Sequence, residues 1–426
     1  MLKQTDGKIE FSRQKDKVKT SALYSQHLKL TSKSRMANFA GFLMPLWYSS
    51  IAEEHKAVRG TAGLFDCTHM GVLQISGEGS EEFLDTIATN NVGKLQVNQA
   101  QYSYILDAAG CVLDDIIIYK LEEDDFMVVV NAANEPKIKA YLNAVLQDEV
   151  IIDTGQPDRK VPAKPEVKDL RAQQENQGRV NIALQGPSSI DVLGCITDES
   201  SKEKISQLGS FRFTKAELAG VDCVVSRTGY TGAKVGFEIF PPPESVGSLW
   251  EKILEKGKSE GVVPCGLGAR DSLRIEAGLP LYGHELDGEF NISPIEAGYG
   301  WAVKLDKDFF AGKSAMEKIK AGHTMKVVRA QFPGKKGIRP VRHKDPVLDS
   351  GGNCIGWVLS SAKAGGEQIA LVFVDKEKTD KGEKLGVYYL ARNKMQLKKG
   401  RQEKAEKGQK LEADLEGKVV GRFARF

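Results

Sequence analysis

The stretch from Tyr102 to Val130 reads YSYILDAAGCVLDDIIIYKLEEDDFMVVV and alternates apolar runs with polar turns. Three runs, 102–106, 111–120 and 126–130, are rich in β-branched and aromatic residues, which favour strands. The first two runs are separated by Asp-Ala-Ala-Gly at 107–110, a sequence typical of a turn. We therefore predict a three-stranded antiparallel meander here.

Helical patterns flank this meander. Ser80 is positioned to cap a helix over 81–88, and Asn134 to cap a helix whose apolar stripe includes Ile138 and Tyr141. A similar plan recurs further along the chain. Strands are predicted at 181–184, 211–218, 221–226 and 236–240, and a helix at 245–256. Two successive units of this kind predict an α+β fold with a pseudo-duplicated core.

The remaining segments differ in composition. Residues 156–179 are polar and aperiodic, which predicts a surface loop. Beyond about Gly322, short apolar runs alternate with turns rich in Gly and Lys, which indicates a small all-β domain.

The overall charge argues against a nucleic-acid-binding protein. The 426 residues carry 60 Lys and Arg against 57 Asp and Glu, a net charge of +3. Two basic stretches, residues 1–20 and 392–410, are predicted to be solvated surface. With 41% hydrophobic and 27% charged residues, the composition is that of an ordinary globular protein. We expect no nucleic-acid partner.

No apolar run is long enough for a membrane-spanning helix, and residues 1–20 lack the apolar core of a secretory signal. The six cysteines form no C-x-x-C pair, a usage typical of reduced thiols. The six histidines form no H-x-x-x-H or H-E-x-x-H motif. We therefore expect a cytoplasmic protein without a membrane partner or a metal site.

Two nucleotide-binding patterns are incomplete. Gly266 and Gly268 begin a dinucleotide-like loop that lacks its third glycine. The segment 311–314 (Ala-Gly-Lys-Ser) resembles the end of a phosphate-binding loop, but Lys307 occupies the position of the first glycine. We expect no nucleotide cofactor.

Two aspartates interrupt the central strand of the predicted meander. Side chains alternate along a strand, so Asp114 and Asp115 are expected to face opposite sides, with Ile117 and Tyr119 on the side of Asp115. A carboxylate turned toward a packed side or cleft is costly unless it gains a partner. Two solvated carboxylates at the start of a strand are the alternative.

Two further charged residues break the local pattern. Glu238 lies in an apolar strand after a glycine-rich turn, where a carboxylate can accept paired hydrogen bonds from an N–H/NH2 edge, or face solvent. Arg270 lies in the first turn of a helix predicted over 269–277, a position unfavourable for a cation. This placement suggests that Arg270 is held by an anionic or carbonyl partner. An ion pair with Asp271 or Glu276 is the alternative.

At these residues the sequence resembles the aminomethyltransferase (T-protein) family of the glycine cleavage system. The similarity extends in the family's order over about residues 21–320. The matching segments are Phe39-Ala40-Gly41-Phe42, Met44-Pro45-Leu46, Gly63-Leu64-Phe65-Asp66, His69-Met70-Gly71, Leu113-Asp114-Asp115-Ile116, Val129 to Asn134, Leu184-Gln185-Gly186-Pro187, Ser226 to Gly232, Gly236-Phe237-Glu238, Gly266 to Asp271, Arg274 to Ala277, Leu281-Tyr282-Gly283 and Gly300-Trp301.

The resemblance implies a three-domain cloverleaf around a folate cavity, with a C-terminal β-barrel-like domain. The implied domains are 21–65 with 153–220, 66–152 with 221–320, and 322–426, after a polar N-terminal extension of residues 1–20.

The implied reaction moves a one-carbon unit from the aminomethyl-lipoyl arm of the H-protein to tetrahydrofolate, a co-substrate, giving 5,10-methylenetetrahydrofolate and ammonia. Asp115 matches the family's essential carboxylate. The positions that match residues near the folate are Tyr102, Asn131, Tyr230, Glu238, Arg270 and Trp301. A folate-dependent demethylase of the same fold and a non-catalytic folate-binding protein are the alternative functions.

Overall fold

A computed structural model of the chain describes residues 2–12, 17–172 and 177–424. Parts of three predicted features lie outside the described residues: 1 and 13–16 of the N-terminal extension, 173–176 of the polar loop, and the last two residues of the C-terminal domain. The chain divides into two compact units, one comprising residues 1–270 and 302–317, the other 271–301 and 318–425.

The first unit contains a five-stranded antiparallel sheet built on the predicted meander. Its strands, in spatial order, are Glu166–Asp169, Gly71–Ser76, Asp125–Val130, Val112–Glu122 and Gln99–Leu106. The helices Ser80–Ile87 and Glu135–Leu146 bury their apolar stripes, including Phe83 and Ile138, in one core with this sheet. The predicted meander is thus confirmed, and its central strand, the longest of the five, has neighbours on both sides.

The structure corrects three local expectations around this sheet. Ser80 is the first residue of its helix and Gly79, with φ of 80°, precedes it, so Ser80 does not cap it. The loop predicted over 156–179 contributes the edge strand Glu166–Asp169, because its backbone pairs with Gly71–Ser76.

The third correction concerns the N-terminal extension. Its strands Leu2–Thr5 and Lys8–Phe11 form a hairpin. Ile9 of this hairpin is buried in the core of the five-stranded sheet, and its main-chain N–H donates to Asp107 Oδ2 at 2.9 Å. The hairpin therefore packs on the first unit and is not wholly solvated.

The first unit also contains a six-stranded sheet. Its strands, in spatial order, are Phe213–Leu218, Val221–Ser226, Gly236–Phe240, Ile182–Gln185, Ala62–Asp66 and Val262–Cys265. All neighbours are antiparallel except the last pair. The helix Val246–Lys256 buries Val246, Leu249, Trp250 and Ile253 against this sheet, as its periodicity predicts.

The two sheets share an apolar cluster. Tyr119 from the five-stranded sheet packs edge-on against Phe213 and Phe240 of the six-stranded sheet, with ring centroids 5.6 and 5.3 Å apart. The domain ranges predicted from the sequence group the strands Val221–Ser226 and Gly236–Phe240 with residues 66–152. In the structure, these strands belong to the sheet that includes Ala62–Asp66. The domain boundaries themselves stay a prediction.

The second unit contains the predicted C-terminal barrel, a closed barrel of six strands. These are, in order around the barrel, Met325–Pro333, Glu367–Asp375, Cys354–Ala364, Pro346–Leu348, Lys384–Val387 and Leu415–Val420. Its interior is apolar, with Phe332, Val358 and Val372 fully buried. In the same unit Arg274 forms a buried ion pair with Glu285 at 2.6 Å.

The remaining elements are short. A three-stranded sheet is formed by Lys19–Thr20, Phe42–Pro45 and Met36–Phe39. The other α-helices are Tyr24–Leu30, Ile51–Gly60, Ser189–Gly194, Glu199–Gln207, Leu267–Ala277, Lys313–Gly322 and Lys394–Lys398. Within the described part of the chain, no helix combines the length and hydropathy that crossing a membrane requires.

Candidate active site

The Asp114–Asp115 pair lies in the strand Val112–Glu122, the central strand of the predicted meander, just beyond the point where the neighbouring strand Asp125–Val130 ends. Asp114 is fully buried, whereas Asp115 is half-buried. The two carboxylates therefore have different surroundings. Asp114 is enclosed by protein, whereas the side chain of Asp115 remains partly accessible to solvent.

Asn131 connects the two carboxylates. Its Nδ2 donates to Oδ1 of Asp114 and to Oδ1 of Asp115, both at 2.8 Å, and its main-chain N–H donates to Oδ2 of Asp114 at 2.9 Å. Asn134 was predicted to cap the following helix, but its side chain donates to Asp114 Oδ1 at 2.6 Å and makes no capping bond. The Asn134 side chain is oriented towards Asp114 because a buried carboxyl oxygen without a donor would carry the full cost of its lost hydration.

Tyr102 reaches Asp115 from the adjacent strand. Its hydroxyl donates to Asp115 Oδ2 at 3.0 Å, and its ring packs edge-on against Tyr104 at 5.2 Å. Burial raises the pKa of Asp115, against the lowering effect of the donors from Tyr102 and Asn131. Burial and the neighbouring charge of Asp115 raise the pKa of Asp114 to about 8.

Glu238 is the second polar centre. It is half-buried in the strand Gly236–Phe240 and accepts three hydrogen bonds. Thr228 donates to its Oε2 at 2.6 Å, Tyr119 to the same oxygen at 3.3 Å, and Asn181 to Oε1 at 3.0 Å. Glu238 is thus fixed from both sheets, and the alternative of a solvated glutamate at a strand edge is wrong.

Sequence reasoning assigned no role to Tyr119, Thr228 or Asn181. The available signal was the alternation along the central strand, which places Tyr119 on the side of Asp115. The contact with Glu238 depends on how the two sheets pack, and no local pattern encodes that.

Arg270 lies in the first turn of the helix Leu267–Ala277, as predicted. Its guanidinium donates to Cys67 Sγ at 3.3 Å and lies over the ring of Tyr230, 5.0 Å from the ring centre. Asp271 pairs with Arg274 instead, and within the described part of the chain no carboxylate forms an ion pair with Arg270. Burial raises the pKa of the Cys67 thiol to about 12, partly offset by Arg270.

Six of the seven predicted site residues therefore lie in the first unit, in three groups. Asp115, Tyr102 and Asn131 form one, Glu238 a second, and Arg270 with Tyr230 a third. Trp301 lies in the second unit, where the residue is 51% exposed and its ring centroid is 6.0 Å from that of Tyr299.

Comparison with known proteins identifies the family. A family model described as the GCVT N-terminal domain matches residues 23–307. A protein named aminomethyltransferase from Desulfitobacterium hafniense (strain Y51) is 39% identical over 373 residues, covering 87% of this chain and 93% of that protein. Another, from Caldanaerobacter subterraneus subsp. tengcongensis, is 44% identical over 307 residues, covering 72% and 74%. The chain belongs to the aminomethyltransferase family.

The fold agrees with this membership. The crystal structure of glycine cleavage system aminomethyltransferase T from Bartonella henselae matches with a TM-score of 0.72 and 29% identity, over 95% of this chain and 97% of that one. The predicted resemblance and the α+β fold with a C-terminal barrel are confirmed. Aminomethyltransferases are transferases, so the prediction that the chain is an enzyme of the transferase class is confirmed.

In this member of the aminomethyltransferase family, a buried network supports the segment that contains Cys67. Asp66 Oδ2 lies 2.7 Å from His27 Nε2, and the Tyr48 hydroxyl lies 2.8 Å from His27 Nδ1. Asp66 Oδ1 also accepts the Thr68 main-chain N–H at 2.8 Å. Burial opposes ionisation of Asp66, but its hydrogen bond and charge interaction with His27 lower its pKa to about 2. This network fixes the turn that presents Cys67 to Arg270.

The two incomplete nucleotide motifs have structural roles in this member of the family. The Gly266 main-chain N–H donates to Glu54 Oε2 at 2.8 Å, and that of Gly268 to the Leu46 carbonyl at 2.9 Å. Lys307 donates to the carbonyls of Ala88 and Asn90, both at 3.0 Å, near the end of the helix Ser80–Ile87. These groups are therefore committed to contacts within the protein.

Proposed function

We propose that this chain is the aminomethyltransferase of the glycine cleavage system. In this proposal it accepts the aminomethyl-lipoyl arm of the H-protein and transfers the one-carbon unit to tetrahydrofolate. The products are 5,10-methylenetetrahydrofolate, ammonia and the reduced lipoyl arm. Family membership supports this assignment, and the arrangement of Asp115 supports the chemistry.

The observation that carries the proposal is that both oxygens of the Asp115 carboxylate are held by neutral hydrogen-bond donors. Tyr102 and Asn131 hold its two oxygens at 3.0 and 2.8 Å, and both donors are neutral. Its charge is therefore oriented without being neutralised. The one-carbon unit becomes positively charged during transfer, and a preorganised carboxylate in a site of low polarity stabilises such charge more than water does.

Glu238 and Arg270 are suited to the folate. Ionised Glu238 only accepts hydrogen bonds, and its three protein donors leave acceptor capacity on its exposed side for the N–H/NH2 edge of a pterin. Arg270 has a thiol and a ring as its neighbours, so it retains donors for a carbonyl or carboxylate group. Tyr230 and Tyr102 would provide flat contact surfaces.

Trp301 and Asn131 complete the proposed set of folate-site residues. Asn131 belongs there through its hydrogen bond to Asp115. Trp301 is included because of the family match alone. The lipoyl arm of the H-protein is the proposed donor, and the six free cysteines fit a reducing compartment such as the cytoplasm.

The test is an ammonia-release assay with aminomethylated H-protein, with and without tetrahydrofolate, alongside the Asp115→Asn variant. We expect rapid folate-dependent ammonia release by the wild-type protein and formation of methylenetetrahydrofolate. Folate binding without turnover would indicate the non-catalytic alternative. Methyl transfer from a sulfonium donor, with none from the H-protein, would indicate the demethylase.

A further inference from the structure

The two adjacent carboxylates share one amide group. Asn131 Nδ2 lies 2.8 Å from Oδ1 of Asp114 and 2.8 Å from Oδ1 of Asp115, so the two oxygens are separated by at most twice that distance. One of the two residues is fully buried. Two ionised carboxylates this close, in surroundings of low polarity, repel each other strongly.

The groups that face the pair from each neighbouring element are neutral. Tyr102 faces it from the strand Gln99–Leu106, Asn131 from the end of the strand Asp125–Val130, and Asn134 from the start of the next helix. In the described part of the chain, no Lys, Arg or His side chain forms an ion pair with either carboxylate. The repulsion is therefore relieved by a proton or by a cationic ligand.

We propose that Asp114 and Asp115 hold one proton between them in the ligand-free protein, with Asp114 as its main site, and that a cationic aminomethyl group bound at Asp115 displaces it. Asp114 is then a positioning residue that sets the charge of Asp115. The inference deepens the proposed function and rests on it for the identity of the cationic group.

Burial favours Asp114 as the protonated member. Asp114 has no solvent contact and Asp115 does, so ionisation costs less at Asp115. Burial together with the charge of Asp115 raises the pKa of Asp114 to about 8. The donors from Asn131 and Asn134 oppose this shift, but a protonated carboxyl keeps acceptor capacity for them.

The proposal links protonation to binding. A cation beside Asp115 lowers the pKa of Asp114, so its proton leaves to the solvent when the cation binds. By linkage, the affinity for a cation rises with pH, by up to about tenfold per pH unit below the upper pKa of the pair. A neutral ligand of the same shape shows no such dependence.

Infrared spectroscopy of the ligand-free protein, with isotope-labelled aspartate, tests the proton directly. We expect the carbonyl stretch of a protonated carboxyl at neutral pH, lost in Asp114→Asn and retained in Asp107→Asn. Asp107 is the matched control because it too is a buried aspartate whose pKa is raised by burial. In Asp115→Asn the band should titrate at lower pH, because the neighbouring charge is gone. Absence of this band from the wild-type protein would overturn the proposal.

Calorimetry tests the link to binding with two stable analogues of the donor, S-(2-aminoethyl)dihydrolipoamide and its neutral counterpart S-propyldihydrolipoamide. In two buffers of different ionisation enthalpy, we expect release of close to one proton per cationic analogue bound. The neutral analogue should release none. Equal affinity for both analogues, or no proton release, would overturn the inference. The ammonia-release assay is independent, so turnover without proton release would leave the proposed function intact.

If Asp114→Asn does not fold, the wild-type calorimetry and the pH shift of the band in Asp115→Asn still decide the question. A purely structural role for Asp114 predicts neither observation.

Discussion

Tyr119 and Glu238 belong to different sheets, and the tyrosine hydroxyl donates to Oε2 of the glutamate at 3.3 Å. Tyr119 also shares a strand with Asp115, four residues away and on the same side. The position of Glu238 relative to Asp115 is therefore set by the packing of one sheet on the other, through the aromatic cluster of Tyr119, Phe213 and Phe240.

Tyr119→Phe should weaken tetrahydrofolate binding modestly. The substitution keeps the ring in the aromatic cluster and removes one donor, while Thr228 and Asn181 still hold Glu238. A single hydrogen bond contributes about 0.5 to 1.5 kcal/mol, so we expect a twofold to tenfold rise in Kd. Titration calorimetry measures it. An unchanged Kd would mean that Tyr119 only fills space.

Glu238→Gln should have a larger effect on the same affinity. The variant keeps the shape of the side chain but loses the charge that strengthens hydrogen bonds to a pterin. A hydrogen bond to a charged group contributes about 1.5 to 3 kcal/mol, so we expect binding to weaken by roughly ten- to hundredfold. The matched control is Glu217→Gln, an exposed glutamate of the same sheet. Wild-type affinity in Glu238→Gln would remove this residue from the site.

The local elements of the site could be predicted from the sequence. Alternation in 102–130 predicts the strand that contains Asp114 and Asp115, and turn residues predict its neighbours. The interruption of apolar strands by Asp115 and Glu238 indicates functional residues, because a carboxylate in such a segment needs a partner.

Contacts between distant segments could not be predicted in this way. Asn134 is a residue type typical of helix caps, and it lies where a helix is expected to begin. Its side-chain amide nevertheless donates to Asp114, which is twenty residues away in the chain. The strand Glu166–Asp169 is polar and short, and only its pairing with the strand Gly71–Ser76 makes it a strand. Such contacts depend on tertiary packing, which overrides local preference.

The thiol of Cys67 should resist alkylation in the native protein. Thiolate is the reactive form, and burial raises the pKa of Cys67 to about 12. Cys195 is exposed and provides an internal control. After brief treatment with iodoacetamide at neutral pH, mass spectrometry should find modification at Cys195 and none at Cys67. Comparable modification of both would indicate that Cys67 becomes exposed and that its contact with Arg270 is not persistent.

Asp66 should make stability depend on pH in the acid range. Its pKa is lowered from 3.8 to about 2 in the folded protein, so its contribution is present above about pH 4 and is lost as pH falls toward 2. This shift corresponds to about 2 to 3 kcal/mol. Urea unfolding of the wild-type protein and Asp66→Asn should therefore differ most at neutral pH, with the difference shrinking in acid. A difference that is independent of pH would contradict the lowered pKa.

Asp115 and Asp114 should differ sharply in their effect on turnover. Asparagine preserves the shape of each side chain, so Asp115→Asn removes the oriented charge with little change in packing. Losing one preorganised group of this kind costs about 10² to 10³ in kcat, and we expect at least that loss. Asp114→Asn should cost under about tenfold in kcat and alter the pH profile, because Asp114 acts through Asp115. Steady-state ammonia release across pH measures both. If Asp114→Asn were inactive while Asp115→Asn kept most of its activity, the assignment of Asp115 as the catalytic carboxylate would be wrong.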